Sequence, residues 1–251
     1  MIAALDLGNS RAKLFYVGRP QPTIFNYDDA WPAALLRELN DSRGELPIRL
    51  GISSVNPAAH AALTAAWPQG SPDEMIEARR LLILHSPINF GAVTGMGDDR
   101  KLGLVGALIV GPPPLITVDC GTAITINAVD AGSVCRGGAI LPGFDTQLRA
   151  LHDYTGQLPR LNPQATNLWQ GATTEQAMLV GVIRGTSGAV ASICRRIQAS
   201  MPVAPTIFIT GGAAELLYAQ MQEHNLKTRL LPDLVGAGLL ALLQASSQQT
   251  V

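Results

Sequence analysis

Three junctions in the sequence combine glycine with side chains that can hold phosphate. Each follows a short apolar run, and together they occupy residues 6–10, 119–123 and 210–212. Glycine lets backbone N–H groups approach a phosphate closely, because no Cβ stands in the way. Hydroxyl groups and the Asn9 amide can donate to phosphate oxygens, and Lys13 adds a compact positive charge. Each junction alone is typical of an ordinary turn, but the three together favour a phosphate site.

Asp6 gives the first junction a second possible task. A carboxylate repels phosphate unless a cation lies between them. Asp6 is therefore a candidate to hold Mg²⁺, and we expect it to do so through water, because Mg²⁺ loses its water reluctantly.

The tetrapeptide Gly97-Asp98-Asp99-Arg100 begins a predicted helix. Acidic residues at this end are ordinary, since they complement the positive end of the helix dipole. A transferase, however, needs one carboxylate to accept a hydroxyl proton and one cation to hold an anionic substrate. Adjacent helical residues point about 100° apart, so at most one of the two acids can face a given ligand.

The elements that would position these residues alternate between strands and helices, which indicates an α/β protein. Strands are predicted at residues 2–5, 12–17, 48–55, 81–84, 115–118, 124–129 and 206–209. Helices are predicted at residues 30–40, 58–67 and 98–110, in a stretch that ends at 151, at 173–199 and from 213. Asn56 should cap the second helix, and Thr173 with Gln176 forms a capping box.

The pattern of strand, Asp-x-Gly and strand occurs twice, at Asp6 and again at Asp119, about half the chain later. Gly111 and the three prolines after it form the clearest break between the halves. The sequence therefore predicts a duplicated fold, with an N-terminal domain at residues 1–114 and a C-terminal domain at residues 115–251.

Composition excludes several classes. The 251 residues are 47% hydrophobic and 15% charged, with a formal net charge of −1. This is enough apolar material for a core, and it gives no basic face for nucleic acid. The three cysteines suggest reduced thiols, and the four histidines lack zinc spacing. No P-loop motif occurs, and Gly236 and Gly238 are interpreted as helix-packing residues.

The sequence also gives no sign of a membrane or an export signal. The apolar runs at residues 102–110 and 234–243 are shorter than the roughly 20 residues that span a bilayer. The first fifteen residues lack the pattern of a signal peptide. We expect a cytoplasmic protein.

The ordered motifs resemble the type III pantothenate kinase family. Residues 6–13 match the family's Asp-x-Gly-Asn-[Thr/Ser]-x-x-Lys opening, and residues 97–100 match its Gly-x-Asp-Arg motif. Further matches lie at residues 52–55, 119–123, 137–143, 210–212 and 234–239. Each motif alone is weak, but the ordered set is specific.

The resemblance implies an actin-like ATPase fold of two duplicated ribonuclease-H-like domains, with ATP between them. It implies phosphorylation of pantothenate to 4′-phosphopantothenate, the first step of coenzyme A synthesis. It further implies a homodimer that needs Mg²⁺ and a monovalent cation, K⁺ or NH₄⁺. The small-residue helix face of Ala177, Gly181, Gly185 and Gly188 would let another helix approach, within the molecule or across a dimer.

The resemblance also implies a role for each matched residue. Asp99 would be the catalytic proton acceptor, and Asp119 would bind the monovalent cation. ATP would contact Asp6, Leu7, Gly8, Asn9, Ser10, Arg11, Ala12, Lys13 and Thr122. Pantothenate would contact Phe90, Gly97, Asp98, Asp99, Arg100 and Thr174.

Two departures from the family and two alternative functions accompany these expectations. Phe90 stands where the family usually has tyrosine, so a phenolic hydrogen bond is lost, and Gly103 stands where asparagine is common.

The chain could instead be an actin-like kinase of another small substrate. It could also be a non-catalytic regulator, since some members carry the label Bvg accessory factor. The presence of Asp6, Lys13, Asp99 and Asp119 together disfavours the regulator.

Overall fold

The computed structural model describes residues 1–248. The strands are β1 Ile2–Leu7, β2 Arg11–Tyr16, β3 Thr23–Asn26, β4 Arg49–Ser54, β5 Glu74–Glu77, β6 Leu115–Cys120, β7 Ala123–Val129, β8 Cys135–Pro142, β9 Thr206–Thr210 and β10 Thr228–Leu230. The α-helices are α1 Trp31–Arg43, α2 Pro57–Ala66, α3 Ala78–His85, α4 Asp98–Val110, α5 Phe144–Asp153, α6 Thr174–Leu179, α7 Gly185–Ala199, α8 Ala214–Met221 and α9 Leu234–Gln248. A π-helical segment, Val180–Arg184, joins α6 to α7, and a 3-10 turn, Gln222–His224, follows α8.

The chain divides into two compact units. Unit 1 comprises Met1–Pro87, Gly95–Val110 and helix α9, Leu234–Gln248, and unit 2 comprises Ile88–Thr94 and Gly111–Asp233. The break after Val110 lies close to the predicted boundary between residues 1–114 and 115–251. Two segments differ from those ranges, because α9 belongs to unit 1 and Ile88–Thr94 belongs to unit 2.

Unit 1 is built on a five-stranded sheet in the order β3-β2-β1-β4-β5. β1 is antiparallel to β2 and parallel to β4, and β4 is parallel to β5. One face carries alternate apolar side chains of β1, such as Leu5 and Leu7, which pack with Leu35 of α1 and Leu63 of α2 in one buried core. The strict alternation leaves Asp6 on the opposite face.

Glycines let α9 lie close against the rest of unit 1. A Cβ on Gly106 of α4 would collide with the backbone of Leu234, and a Cβ on Gly238 would collide with that of Leu102. Gly236 is pressed in the same way against the ring of Phe15. The interpretation of Gly236 and Gly238 as packing residues is therefore confirmed. This close contact holds the last helix in unit 1 although it is far away in sequence.

Unit 2 is built on a second sheet, in the order β10-β9-β6-β7-β8. β6 is antiparallel to β7 and parallel to β9, and β9 is parallel to β10. The two sheets therefore have the same strand order and directions, with β6 in the place of β1 and β9 in the place of β4. The predicted duplication of an α/β fold is confirmed at the level of topology.

Most of the predicted elements are present, and one is of the wrong type. Residues 81–84 were expected to form a strand but lie in helix α3, Ala78–His85. Leu81 and Leu82 are buried whereas Ile83 and Leu84 are exposed, so the apolar run is only half used by the core. The strand of this region is β5, just before that run, and it was not predicted.

The caps on two helices agree with prediction. The Asn56 side chain accepts a hydrogen bond of 3.1 Å from the N–H of Ala59 at the start of α2. The Thr173 side chain accepts one of 3.3 Å from the N–H of Gln176 at the start of α6. The reciprocal bond of the capping box goes to the N–H of Ala172 instead of Thr173.

The helical stretch Thr174–Ala199 is long and apolar enough to cross a bilayer by length and composition. It exceeds the two apolar runs that the sequence pattern singled out. In the structure, 56% of its most apolar 18-residue window is buried within the fold. Such burial is typical of a core helix, so this stretch is weak evidence for a membrane span.

Candidate active site

Asp6, Lys13 and Ser53 form one row across the sheet of unit 1. Asp6 of β1 is paired with Lys13 of β2 and with Ser53 of β4. Paired residues of neighbouring strands have their side chains on the same face. The hairpin register thus brings together a carboxylate and an ammonium group that are seven positions apart in sequence.

The turn after Asp6 is held by its backbone and by a tyrosine. The Gly8 N–H donates to the carbonyl of Arg11 at 3.2 Å, and the Tyr27 hydroxyl donates to the Gly8 carbonyl at 2.8 Å. Burial and the negative charge of Asp6 raise the pKa of Tyr27 to about 12, so the hydroxyl keeps its proton at neutral pH.

The residues of this turn differ in what they offer a ligand. Asn9, Ser10 and Arg11 are exposed, whereas the side chains of Leu7 and Ala12 are fully buried. Leu7 and Ala12, both among the predicted ATP contacts, therefore offer a nucleotide only their backbone groups. The exposed polar side chains next to Lys13 are of the kind that binds phosphate.

The first turn of α4 presents the two predicted acids differently. The Asp99 carboxylate lies over the Cα of Gly97, where an added Cβ would be only 2.5 Å from Asp99 Oδ1. Asp98 forms an ion pair with Lys101 on the same helix, with 3.4 Å between Asp98 Oδ1 and Lys101 Nζ. Gly97 thus leaves the space that the Asp99 carboxylate occupies. Arg100 is partly exposed beside them.

A cavity of about 310 Å³ lies beyond the carboxyl ends of β4 and β5. Its wall includes the first residues of α2 and α3 and side chains of both charges. In it, His60 Nε2 lies 2.8 Å from Glu77 Oε1. The lining polar residues are Ser53, Ser54, His60, Glu77, Arg79 and Asp98.

Sequence reasoning missed most of this cavity. The sequence marks His60 only as one of four histidines that lack zinc spacing, and Ser53 only as one of the matching residues 52–55. Glu77 and Arg79 carry no signal, because they meet the cavity only through the parallel pairing of β4 with β5. The one available signal was the pair of serines at the end of a buried strand.

In unit 2, Asp119 has the position that Asp6 has in unit 1. It is paired with Thr125 of β7 and with Thr210 of β9. Gly211 follows with φ +99°, and a Cβ there would collide with Asp119 Oδ1. The carboxylate is therefore held against a glycine in the left-handed region, which other residues rarely adopt.

Thr122 lies in the turn after Asp119. Its carbonyl accepts hydrogen bonds from the Gly143 N–H at 2.8 Å and from the Thr146 hydroxyl at 2.7 Å, while its side chain is exposed. A Cβ on Gly143 would collide with the carbonyl of Gly121. The turn is thus fixed by contacts with Gly143 and with the first turn of α5, and Thr122 remains exposed.

The remaining predicted substrate contacts lie elsewhere in unit 2. Phe90 is partly buried and lies in the segment Ile88–Thr94. Two backbone hydrogen bonds of 2.9 Å fix this segment: the Asn89 N–H donates to the Ser133 carbonyl, and the Asn89 carbonyl accepts from the Cys135 N–H. Thr174 is the first residue of α6 and lines an apolar groove of about 820 Å³ between α5 and the α6 region. Gly97, Asp98, Asp99 and Arg100 belong to unit 1.

The cysteines provide no reactive site. All three are buried and none forms a disulfide, as the sequence predicted for reduced thiols. Burial raises the pKa of the Cys120 thiol, helped by the charge of Asp119, and burial raises the pKa of Cys194 to about 12. Both thiols are therefore protonated at neutral pH and poor nucleophiles.

Residues 1–248 contain no group of three or more His, Cys, Asp or Glu side chains arranged to hold a metal ion. Mg²⁺ does not need such a group, because it is usually bound by one or two carboxylates with several waters. Asp6, with the Ser53 hydroxyl on the same face, fits such a hydrated ion. The oxygens of Asp119 and Thr210 are of the type that K⁺ accepts.

Comparison with known proteins identifies the family. The sequence profile of type III pantothenate kinases matches residues 2–196. A type III pantothenate kinase of Synechococcus elongatus is 37% identical over 196 residues, which cover 78% of this chain and 74% of that protein. Among solved structures, a Baf family protein of Campylobacter jejuni has a TM-score of 0.63 at 18% identity, with 98% of this chain and 99% of that one covered.

An archaeal actin homologue matches with a TM-score of 0.52 at 14% identity, over 98% of this chain and 99% of that one. At such low identity this likeness supports the fold only, and it agrees with the duplicated sheets. The predicted actin-like fold is confirmed. The match of the family profile to most of the chain, together with the 37% identical relative, shows that this chain belongs to the type III pantothenate kinase family.

Proposed function

We propose that this protein transfers the γ-phosphoryl group of ATP to the primary alcohol of pantothenate, which gives 4′-phosphopantothenate and ADP and starts coenzyme A synthesis. The observation that carries the proposal is the Asp99 carboxylate placed over Gly97 at the start of α4, in the motif of the matched family. In the same unit, Asp6 and Lys13 are paired across β1 and β2.

Asp99 is the proton acceptor in this proposal. The pantothenate hydroxyl oxygen forms a bond to the γ-phosphorus as the bond from that phosphorus to the bridging oxygen breaks. The hydroxyl proton passes to Asp99, and ADP leaves with the bridging oxygen. A positioned general base typically contributes about 10²–10⁴-fold to the rate.

The turn of unit 1 holds the phosphates. Lys13 neutralises phosphate charge, the exposed Asn9 and Ser10 donate hydrogen bonds, and Asp6 holds the waters of Mg²⁺. When bound, Mg²⁺ would neutralise negative charge on the phosphates. Phosphoryl transfer depends mostly on such charge neutralisation and on the alignment of the reacting groups. The backbone of residues 6–13 provides the other contacts.

The residues proposed to bind pantothenate are those that match the motifs of the family. In unit 1, Arg100 holds the carboxylate of the substrate, and Gly97 and Asp98 complete the turn around it. In unit 2, the ring of Phe90 packs against apolar parts of the substrate without the hydrogen bond a tyrosine would give, and Thr174 donates a hydroxyl group. These assignments are supported by the family match and by the exposure of Thr174.

Unit 2 also contributes to ATP and cation binding. Thr122 contacts a phosphate of ATP, and Asp119 binds the monovalent cation, K⁺ or NH₄⁺. The oxygen of Thr210, paired with Asp119, supports this assignment. We further propose that the protein is cytoplasmic and forms a homodimer. The small-residue face at Gly181, Gly185 and Gly188 supports the dimer, because an added Cβ there would meet no atom of the described residues within 4 Å.

The proposal is tested by incubating the protein with Mg-ATP and one acceptor at a time, with mass spectrometry of the product. Pantothenate is expected to gain one phosphoryl group. Pantetheine, which keeps the alcohol but lacks the carboxylate, should react much more slowly because Arg100 loses its partner. Phosphorylation of a sugar in the panel with none of pantothenate would overturn the proposal.

A further inference from the structure

Ser53 carries a buried hydroxyl at the carboxyl end of β4. The residue is 2% exposed, its Oγ has no hydrogen-bond partner among residues 1–248, and it lines the 310 Å³ cavity beyond the ends of β4 and β5. Buried polar groups are nearly always hydrogen-bonded, because removing them from water without a partner costs free energy. An unpaired hydroxyl that faces a cavity therefore points to something bound there.

The neighbouring serine shows the contrast. The Ser54 hydroxyl donates to the carbonyl of Asn56 at 3.0 Å and accepts from its N–H at 3.2 Å, so it fixes the entry to α2. Ser54 lines the same cavity, but its hydrogen-bonding capacity is used locally. Of the two serines, Ser53 is therefore the unpaired one, and it is also the one that shares a sheet face with Asp6.

The position of Ser53 relates it to Asp6. The two residues are paired in the parallel ladder of β1 and β4, and neighbouring strands lie about 4.8 Å apart. Their oxygen atoms thus lie on one face of the sheet, near its carboxyl edge. A water bound to a cation at Asp6 would be within the reach of a hydroxyl on the next strand.

The same pair recurs in unit 2. Asp119 is paired with Thr210, a hydroxyl residue that is also 2% exposed. The third member of the row is different, since Lys13 in unit 1 corresponds to Thr125 in unit 2. The carboxylate and the hydroxyl are thus the part of the row that both halves of the fold have in common.

Acidic side chains lie close to Ser53, in a cavity wall that carries charges of both signs. Glu77 and Asp98 both line it, and Asp6 lies on the strand beside Ser53. Arg79 also lines the cavity, Lys101 forms an ion pair with Asp98, and His60 is bonded to Glu77. An unpaired hydroxyl at such a mixed wall is suited to bind a water molecule, which is the group that a hydrated cation presents to it.

We propose that the Ser53 hydroxyl holds a water molecule in the hydration shell of the Mg²⁺ that Asp6 binds, and so acts as a positioning residue for the metal. The inference rests on the proposed function, which supplies the cation. Outer-shell partners of this kind fix the orientation of the ligands of a metal, and their loss typically weakens metal binding by 10–100-fold.

The test is the Mg²⁺ dependence of ATP binding, measured by the anisotropy of a fluorescent ATP analogue without pantothenate. In Ser53→Ala, the Mg²⁺ concentration at half-maximal binding should rise about 10-fold. The melting temperature should stay the same or rise, because the variant removes an unpaired buried hydroxyl. Ser53→Thr should restore the wild-type midpoint, as the threonine at position 210 of unit 2 suggests.

Two further variants make the result specific. Ser54→Ala is the matched control and should leave the Mg²⁺ midpoint unchanged, although it loses the bonds to Asn56. Ser53→Cys keeps the size of the side chain and replaces the hydroxyl by a weak hydrogen-bonding group, so it should shift the midpoint even if the alanine variant folds poorly.

The inference is overturned if folded Ser53→Ala or Ser53→Cys keeps the wild-type midpoint, or if Ser53→Thr shifts it as much as alanine does. It is also overturned if ATP binding by the wild-type protein does not depend on Mg²⁺. Failure of the proposed function looks different, since the protein would then bind Mg-ATP without phosphorylating pantothenate.

Discussion

The two sheets have the same strand order and directions, but the row of side chains around the central aspartate differs between them. In unit 1, Asp6 is flanked by Lys13, and the turn beside it exposes Asn9 and Ser10. In unit 2, Asp119 is flanked by threonines and lies against Gly211. In the proposed function, the shared scaffold has two different tasks: unit 1 neutralises phosphate charge with Lys13 and the hydrated Mg²⁺ at Asp6, and unit 2 holds the monovalent cation at Asp119.

The first way to break this comparison is to remove the proposed base of unit 1. Asp99→Asn should lower kcat by about 10²–10⁴-fold, because an amide cannot accept the hydroxyl proton. ATP binding should persist, since the variant leaves residues 6–13 intact. Steady-state kinetics with pantothenate, together with ATP titration, measure both effects. Near-normal turnover would refute the assignment of the base.

Gly97→Ala tests whether the place of that base matters. The added Cβ would be 2.5 Å from Asp99 Oδ1, so the carboxylate must move. A displacement of about 1 Å can cost about 10²-fold in rate, and we expect kcat to fall by about that factor.

Gly103→Ala is the control on the same helix. A Cβ there meets nothing within 4 Å, so activity should be kept and the free energy of unfolding should rise by about 0.5–1 kcal/mol. Equal activities of the two alanine variants would show that Gly97 has no special role.

Lys13→Ala sharpens the contrast between the two rows. Loss of a charged hydrogen bond of about 1.5–3 kcal/mol should lower kcat/KM for ATP by about 10–100-fold. Lys227→Ala removes the same charge from an exposed position of unit 2 and should leave kcat/KM unchanged. If both variants behave alike, the row of unit 1 does not neutralise phosphate.

Asp119→Asn probes the other row. The concentration of K⁺ at half-maximal activity should rise about 10-fold, whereas kcat at saturating K⁺ should fall far less than in Asp99→Asn. A K⁺ titration of pantothenate-dependent ADP release measures this. If kcat instead falls as much as in Asp99→Asn and the K⁺ dependence is unchanged, the assignment of Asp119 to the monovalent cation is wrong.

Tyr27→Phe should have the smallest effect. It removes the hydrogen bond to the Gly8 carbonyl and should lower the free energy of unfolding by about 1 kcal/mol. Because the folded pKa of Tyr27 is raised from 10.0 to about 12, its contribution is fully present below pH 10.0 and is lost as the pH rises toward 12. Urea unfolding of the wild-type protein and of Tyr27→Phe between about pH 9 and pH 12 measures this. A wild-type advantage in the free energy of unfolding that grows with pH would contradict the expectation.

Much of the fold could be predicted because its signals are local. The strands on either side of Asp6 and Asp119 are short apolar runs separated by turn residues, and Asn56 caps its helix in an ordinary way. Residues 81–84 failed because four apolar residues are compatible with either a strand or a helix. The assignment of α9 to unit 1 depends on glycine contacts between helices that lie far apart in sequence.

The site was predictable in part for the same reason. Residues 6–13 and 97–100 are contiguous motifs, so sequence could identify them as groups. Ser53, Glu77 and Arg79 depend on the pairing of β4 with its neighbours and on what is buried, and neither can be read from residue types alone. The unpaired state of the Ser53 hydroxyl is a property of its surroundings.

The most direct test of the central claim is ADP release from Mg-ATP, with and without pantothenate, in K⁺ and then in Na⁺ buffer. The account predicts release only when both pantothenate and K⁺ are present. ADP release that does not depend on pantothenate, or none from a folded protein that binds ATP, would contradict it.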